Sequence, residues 1–171
     1  WSVLPHAGQI YRYNEAEALV AGGELMVGYE INRRWSVNGD VEYVFNRNLT
    51  DNYALPFTPP AVVTTDITYT GIKYSGNGRK RGLISNYEIK IENRLVMDQT
   101  SVARNEVATP GAALWNISAY AHWHVGGRMF ITLLQVDNVF NTSFMNHLSF
   151  YRKLNAPEPG RNIQLIVKIP F

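Results

Sequence analysis

Apolar and polar residues alternate along most of this chain, with the two-residue period that sends successive side chains to opposite faces of a strand. The last stretch shows it plainly: Ile163, Leu165, Val167, Ile169 and Phe171 take every second place, separated by Gln164, Ile166, Lys168 and Pro170. Trp115, Ile117, Ala119, Ala121, Trp123 and Val125 alternate in the same way with Asn116, Ser118, Tyr120, His122 and His124. So do Trp35, Val37, Gly39, Val41, Tyr43 and Phe45 with Ser36, Asn38, Asp40, Glu42, Val44 and Asn46. Tyr87, Ile89, Ile91 and Leu95 are interleaved with Glu88, Lys90, Glu92 and Arg94, and Val63, Ile67 and Tyr69 with Thr64, Asp66, Thr68 and Thr70. The pattern predicts strands over residues 9–31, 35–46, 61–74, around 87–95, 115–125, 129–140 and 161–171, after an incoming loop at 1–8 that has no period. In the first strand the Gly22-Gly23 pair marks an expected bulge, with Gly23, Leu25, Val27, Tyr29 and Ile31 sharing a face. In the sixth the phase slips near Leu134-Gln135, which implies either a bulge or burial on both faces.

The connections form a second pattern. Short turns at residues 32–34, 75–82 and 126–128 alternate with long loops at 47–60, 97–111 and 141–160, so an up-and-down sheet would carry every short turn at one end. Outer-membrane barrels have this asymmetry. Leu55-Pro-Phe-Thr-Pro-Pro60 belongs in a loop, because proline cannot donate to a central ladder. The short turns hold Arg33, Arg34, Arg79, Lys80, Arg81 and Arg128 and no acidic residue. Aromatic residues sort to the two ends: Tyr29, Trp35, Trp123 and Phe171 by the short turns, and Phe45, Trp115 and Phe140 by the long loops. A soluble sandwich buries its apolar face and wets the other, whereas a membrane barrel turns the apolar face to lipid and fills its interior with polar groups. Alternation fits both, but two aromatic girdles fit the barrel. These residues favour an all-β fold, an up-and-down antiparallel transmembrane β-barrel, over a soluble β-domain.

Composition narrows this only a little. Of 171 residues 46% are apolar, with ten Tyr, seven Phe and four Trp, yet no apolar run is long enough for a membrane-spanning helix. There is no cysteine, so neither a disulfide framework nor a thiol nucleophile can be built, and a net charge of +2 gives no reason to expect nucleic acid. The opening Trp1-Ser-Val-Leu-Pro-His6 has no basic and apolar leader, so an exported protein would be seen here in mature or excised form. Glu88, Lys90, Glu92 and Arg94 share one face, where they read as an ion-binding or acid/base cluster or, more plainly, as a mutually paired ladder. His122 and His124 also leave one face together, but no third ligand lies near in sequence, so polar wall residues are expected and no metal is assigned. Asn48-Leu-Thr50, Asn116-Ile-Ser118 and Asn141-Thr-Ser143 fit a glycosylation triplet, which arises often by chance. No Ser/His/Asp order, phosphate-cradling loop or paired-carboxylate spacing stands out. Neither an enzyme nor a cofactor is expected.

The C-terminal part resembles the TonB-dependent receptors of the outer membrane. Asn138-Val-Phe-Asn141 is similar to their Asn-Leu-Phe-Asp/Asn signature, while Asn146-His-Leu-Ser-Phe-Tyr-Arg152 and Pro157-Glu-Pro-Gly-Arg-Asn162 resemble their last extracellular loop and final strand. Asn14…Ala18…Gly23-Glu24 and Asp98-Gln99…Ala103…Asn105-Glu106…Thr109-Pro-Gly111 also resemble the family, although Ala112 stands where a Tyr often follows that glycine. The resemblance implies a barrel of about 22 strands, together with a plug and an N-terminal TonB-contacting segment. Such receptors import ferric siderophores, haem, cobalamin, copper or glycans. This chain would then be the C-terminal third of the barrel in the bacterial outer membrane, contacting lipid, a metal chelate such as a ferric siderophore or haem, and the TonB system through the N-terminal region. Asn105, Glu106, Asn146, His147, Tyr151 and Arg152 would belong to solute-capturing loops. Glu42, Glu88, Lys90, Glu92, Arg94, Asn116, His122 and His124 would face the lumen, and Ile163, Leu165, Val167, Ile169 and Phe171 would form the closing strand. Two other readings stand beside it: a complete small barrel of about eight strands that draws one from residues 1–14, and a soluble β-sandwich binding module.

Overall fold

The computed structural model describes residues 15–72, 83–104 and 106–169. They form a seven-stranded antiparallel sheet in chain order: β1 (Ala18–Glu30), β2 (Trp35–Asn48), β3 (Val62–Ile72), β4 (Ile84–Val96), β5 (Ala112–Val125), β6 (Arg128–Asp137) and β7 (Asn162–Lys168). Every strand pairs only with its sequence neighbours, as expected of an up-and-down wall. The long connections, L1 (residues 49–61), L2 (97–111) and L3 (138–161), all leave from one end, and the β1–β2 and β5–β6 turns from the other. The turn at residues 75–82 lies outside the described residues.

The register sorts the side chains more cleanly than alternation alone. One face carries Leu25, Val41, Val63 and Leu95 in a row, then Tyr29, Val37, Ile67, Ile91, Ile117, Val136 and Ile163 in another. The strands place no acidic residue on this face, and its only charged residues are Arg47 and Arg128, one at each end. The opposite face collects Glu24, Asp40, Glu42, Asp66, Glu88, Lys90, Glu92, Arg94, Asn116, Ser118, His122, His124, Gln135 and Gln164. All eight residues expected to line the lumen are on it.

Exposure is inverted relative to a water-soluble fold. Ile91 in the middle of the apolar face and Trp115 toward its long-loop end are 39% and 40% exposed, whereas the Asp66 carboxylate on the polar face is only 12% exposed. Among the described residues the buried apolar side chains are Ala54, Val62 and Val96, all near the long-loop end. A sandwich would bury the apolar face beneath a second sheet, and the described residues contain none. The polar face is the crowded, inner one. Asn38 Nδ2 donates to Asp66 at 2.9 Å, Lys90 Nζ lies 3.4 Å from Asp66 and 2.9 Å from Glu92, and Asn116 Nδ2 donates to Glu92 at 3.0 Å. Lys90 and Glu92 of β4 are thus paired with each other and with Asp66 and Asn116 of the neighbouring strands.

Aromatic rings meet at both ends, partly through residues other than those expected. At the short-turn end the Trp35 and Tyr69 rings are 4.7 Å apart, Tyr69 and Tyr87 are 5.9 Å apart, and Tyr87 lies so close over Gly71 that a Cβ there would enter the ring. At the long-loop end Trp115 and Phe140 meet edge to face at 6.3 Å. Phe171 lies outside the described residues.

Several boundaries differ from expectation. β1 starts at Ala18 and pairs without a bulge through Gly22↔Val44 and Gly23↔Tyr43. Gly22 serves close approach instead, since a Cβ would sit 2.8 Å from the Tyr43 carbonyl oxygen. The irregularity falls at Ser85, where Ile84 pairs with Trp123 but Asn86 with His122, and Ser85 Oγ reaches His124 Nε2 at 2.9 Å. β6 ends at Asp137 and runs straight through Leu134 and Gln135. Its phase slips because Ile131 and Leu133 occupy the inner face, beside Lys168 and Ile166.

Within the described residues β1 and β7 do not pair, and both are exposed along their length. Each leaves a row of N–H and C=O groups that neither lipid nor water tolerates well next to apolar side chains. Produced alone in detergent, this chain is expected to associate, with fast amide exchange in β7. A monodisperse monomer with β7 protected would show that the edges meet.

Candidate site in the long loops

The Asn-Val-Phe-Asn stretch is the stop signal of β6. Asn138 and Asn141 both have positive φ, 50° and 55°, which asparagine accepts more readily than most residues. Asn138 closes the turn on itself: its Nδ2 donates to Thr142 O at 2.9 Å and its Oδ1 accepts from Thr142 N at 2.8 Å. Its own N–H donates to Asn116 Oδ1 at 2.9 Å, and Asn141 Oδ1 accepts from Arg161 N at 2.9 Å. The motif therefore fixes both where L3 leaves β6 and where it enters β7.

L1 is shaped by side chains of the strand before it. Asn48 Oδ1 accepts from Thr50 N and Asp51 N at 2.9 and 3.0 Å, and Asn46 Oδ1 accepts from Leu55 N and Thr58 Oγ1, each at 2.8 Å. L2 is stitched to it by Gln99, whose Nε2 donates to the Thr58 and Pro59 carbonyls at 3.1 Å while its backbone pairs with Thr109. L3 contributes a one-turn 3₁₀ helix, Phe150–Leu154, capped by Ser149 and ended at Asn155 with φ 56°; its buried residue is Arg152.

These loops meet at Arg152. The guanidinium is bonded to the Glu106 carboxylate through Nη2, its Nη1 is 2.7 Å from each His147 ring nitrogen, and its carbon sits 5.3 Å from the Phe57 ring centroid. Glu106 also accepts from Phe57 N at 2.9 Å and Ala103 N at 3.1 Å. His147 is 1% exposed and its Nδ1 is 2.9 Å from Thr109 Oγ1. One ion pair thus ties L1, L2 and L3, and holds Phe57 at φ 58°, where a bulky residue is costly. Burial opposes the charge on Glu106, but its backbone donors and Arg152 outweigh this and hold the carboxyl below the usual carboxylate range. Burial pushes His147 down, Arg152 pushes it the same way, and Glu106 opposes.

The signs of these two shifts agree. A depressed histidine gives full stability above its ordinary 6.5 and loses it as pH falls through the lower folded value. The carboxylate does the same from its ordinary 4.5 downward. Acid is thus expected to loosen the loops in two steps while the sheet stays intact, read by protease cleavage in L3 and by the His147 ring resonance. A histidine titrating at its ordinary value would refute this.

Of the six loop residues singled out by sequence, the structure brings Glu106, His147 and Arg152 together and buries them. Tyr151 is exposed, Asn146 turns its Oδ1 back onto Leu148 N at 3.0 Å, and Asn105 lies outside the described residues. Sequence reading missed Phe57, Gln99 and Thr58 as site residues; Pro56 before Phe57 and the Pro59-Pro60 pair after it were the available sign of a rigid segment. Beside the ion pair opens a cavity of about 570 Å³, walled by Tyr53, Leu55, Phe57, Ala103, Arg104, Phe150 and Lys153. Arg104 lies over Tyr53 at 5.4 Å and Lys153 over Phe150 at 5.3 Å. A smaller recess of about 220 Å³ lies on the inner face among Lys90, Glu92, Asn116, Ser118, Gln135 and Asp137.

The fold is that of an outer-membrane-type barrel wall: all-β, up-and-down and antiparallel, with the apolar face outside and the polar face within. The solved structure of the copper transporter OprC matches it with a TM-score of 0.71 at 23% identity, over 89% of this chain. The chain spans 23% of that protein's length, and the likeness is one of fold. No protein-family model and no curated protein sequence matches the chain.

Proposed function

We propose that this chain forms part of the barrel of an outer-membrane importer that takes up a metal-containing solute. The observation that carries this reading is the outer face, apolar and exposed, without an acidic residue in the strands and with arginine only at its two ends. Lipid is the solvent that such a face suits. The fold-level likeness to a copper transporter supports metal as cargo, and the motifs at residues 138–162 support a TonB-dependent receptor energised through its N-terminal region. A metal chelate such as a ferric siderophore or haem is the cargo class that the loop motifs favour. The barrel has no catalytic role in this reading. L1, L2 and L3 face outside, and the cavity beside Arg152 takes part in capture, as polar loops with aromatic anchors on a rigid scaffold do.

After membrane fractionation, the parent protein should run as a heat-modifiable band. Deleting residues 142–157 should lower metal-chelate uptake while that band persists; unchanged uptake would remove the loops from the capture step. Closure into a small barrel would have to pass through residues outside the described ones, because β1 and β7 are unpaired.

A further inference from the structure

The arginines at the short-turn end have no part in solute capture, yet their placement is specific. Arg128 pairs with Val125 and so stands on the outer, apolar face, directly past the Trp123–Phe130 pair. Arg34, whose carbonyl accepts from Thr70 N at 2.7 Å, lies in the β1–β2 turn at the same end of the sheet. Arg33 adjoins it, and all three are exposed. Just inward of them run Trp35, Tyr69 and Tyr87, rings of the kind that settle at the level of lipid headgroups. Glu30, the nearest acidic residue of β1, belongs to the inner face, opposite Ser36. Arg128 is therefore offered to the bilayer side, past an aromatic belt, with the exposed turn arginines at the same end and no carboxylate from the strands on that face.

We propose that this end of the barrel is a docking surface for anionic phospholipid headgroups, with Arg128 contacting the headgroup anions and the turn residues Arg33 and Arg34 adding to the field. The inference rests on the membrane-spanning reading of the outer face. Guanidinium suits a phosphodiester because its planar donors match the oxygen geometry.

The test uses the full-length protein in detergent, titrated with phosphatidylglycerol or phosphatidylcholine, with retained lipid counted by mass spectrometry of the intact complex. Phosphatidylglycerol should be retained in preference, by about fivefold per arginine at low salt, and the preference should fade as salt is raised. R33Q/R34Q/R128Q should lose it while keeping the heat-modifiable band. R47Q, at the opposite end of the same face, should keep it. Equal retention of the two lipids, a preference that survives in the triple variant, or an equal loss in R47Q would overturn the proposal and leave the membrane reading standing. A protein that stays soluble without detergent and retains neither lipid would overturn both.

Discussion

An arginine at Ala119 is expected to lower the stability of the membrane-inserted barrel by about 2–4 kcal/mol, and an arginine at the adjacent Ser118 by almost nothing. The contrast comes from one peptide unit. Ala119 sits at the middle of β5 on the outer face, between Ile89 and Leu134, where a guanidinium has only lipid and apolar side chains around it. Ser118 lies between Lys90 and Gln135 on the inner face, with Glu92 and Asp137 at the same recess to balance an added charge. Urea-driven unfolding from vesicles measures both. Equal costs would mean that neither face meets lipid, and a reversed order of costs that the faces are assigned the wrong way round. The pair of substitutions also separates the barrel from a soluble sheet, in which the polar face would be wet and the apolar one packed.

Most of the sheet was legible because face and period coincide in β2, β3, β4 and β5, where nearly every outward residue is apolar and every second one polar. The failures have a common cause. Period reports side chains, whereas bulges are made by the backbone. Gly22-Gly23 looked like a break, but Gly22 only lets β2 approach closely, and Ser85, which has no unusual neighbours in sequence, is the residue that slips. At β6 the inner face is itself apolar at Ile131 and Leu133, so alternation fades without any change of register. The loops were legible as loops and not as a structure. Glu106, His147 and Arg152 stood out as polar loop residues, but their meeting depends on L2 and L3 leaving the same end of the sheet, and nothing local encodes an ion pair across forty-six positions.

The loop knot sets the second large effect. With side chains only 3% and 6% exposed, Arg152 and Glu106 have given up their water, and each depends on the other together with a few backbone donors. Arg152→Ala is expected to cost the loops about 3–5 kcal/mol, because it leaves a buried carboxylate without its counter-charge. The Ala103 and Phe57 amides still solvate Glu106, which keeps the cost toward the lower end. His147 then loses its donor and Phe57 its stacked cation, so the strained Phe57 backbone has less to hold it. Since the strands contribute none of these contacts, the damage is local and should appear as protease sensitivity across L1, L2 and L3 with the heat-modifiable band unchanged. Replacing the pair together, R152M with E106L, removes both charges at similar volume and should restore much of the protection. The discriminating comparison is between R152A and that double variant. If neither is cleaved more than the wild type, the loops are held by packing around Gln99 and Asn46 rather than by the ion pair. If the single variant opens and the double one stays closed, the buried charge pair governs loop order, and acid should open the wild-type loops in the same places.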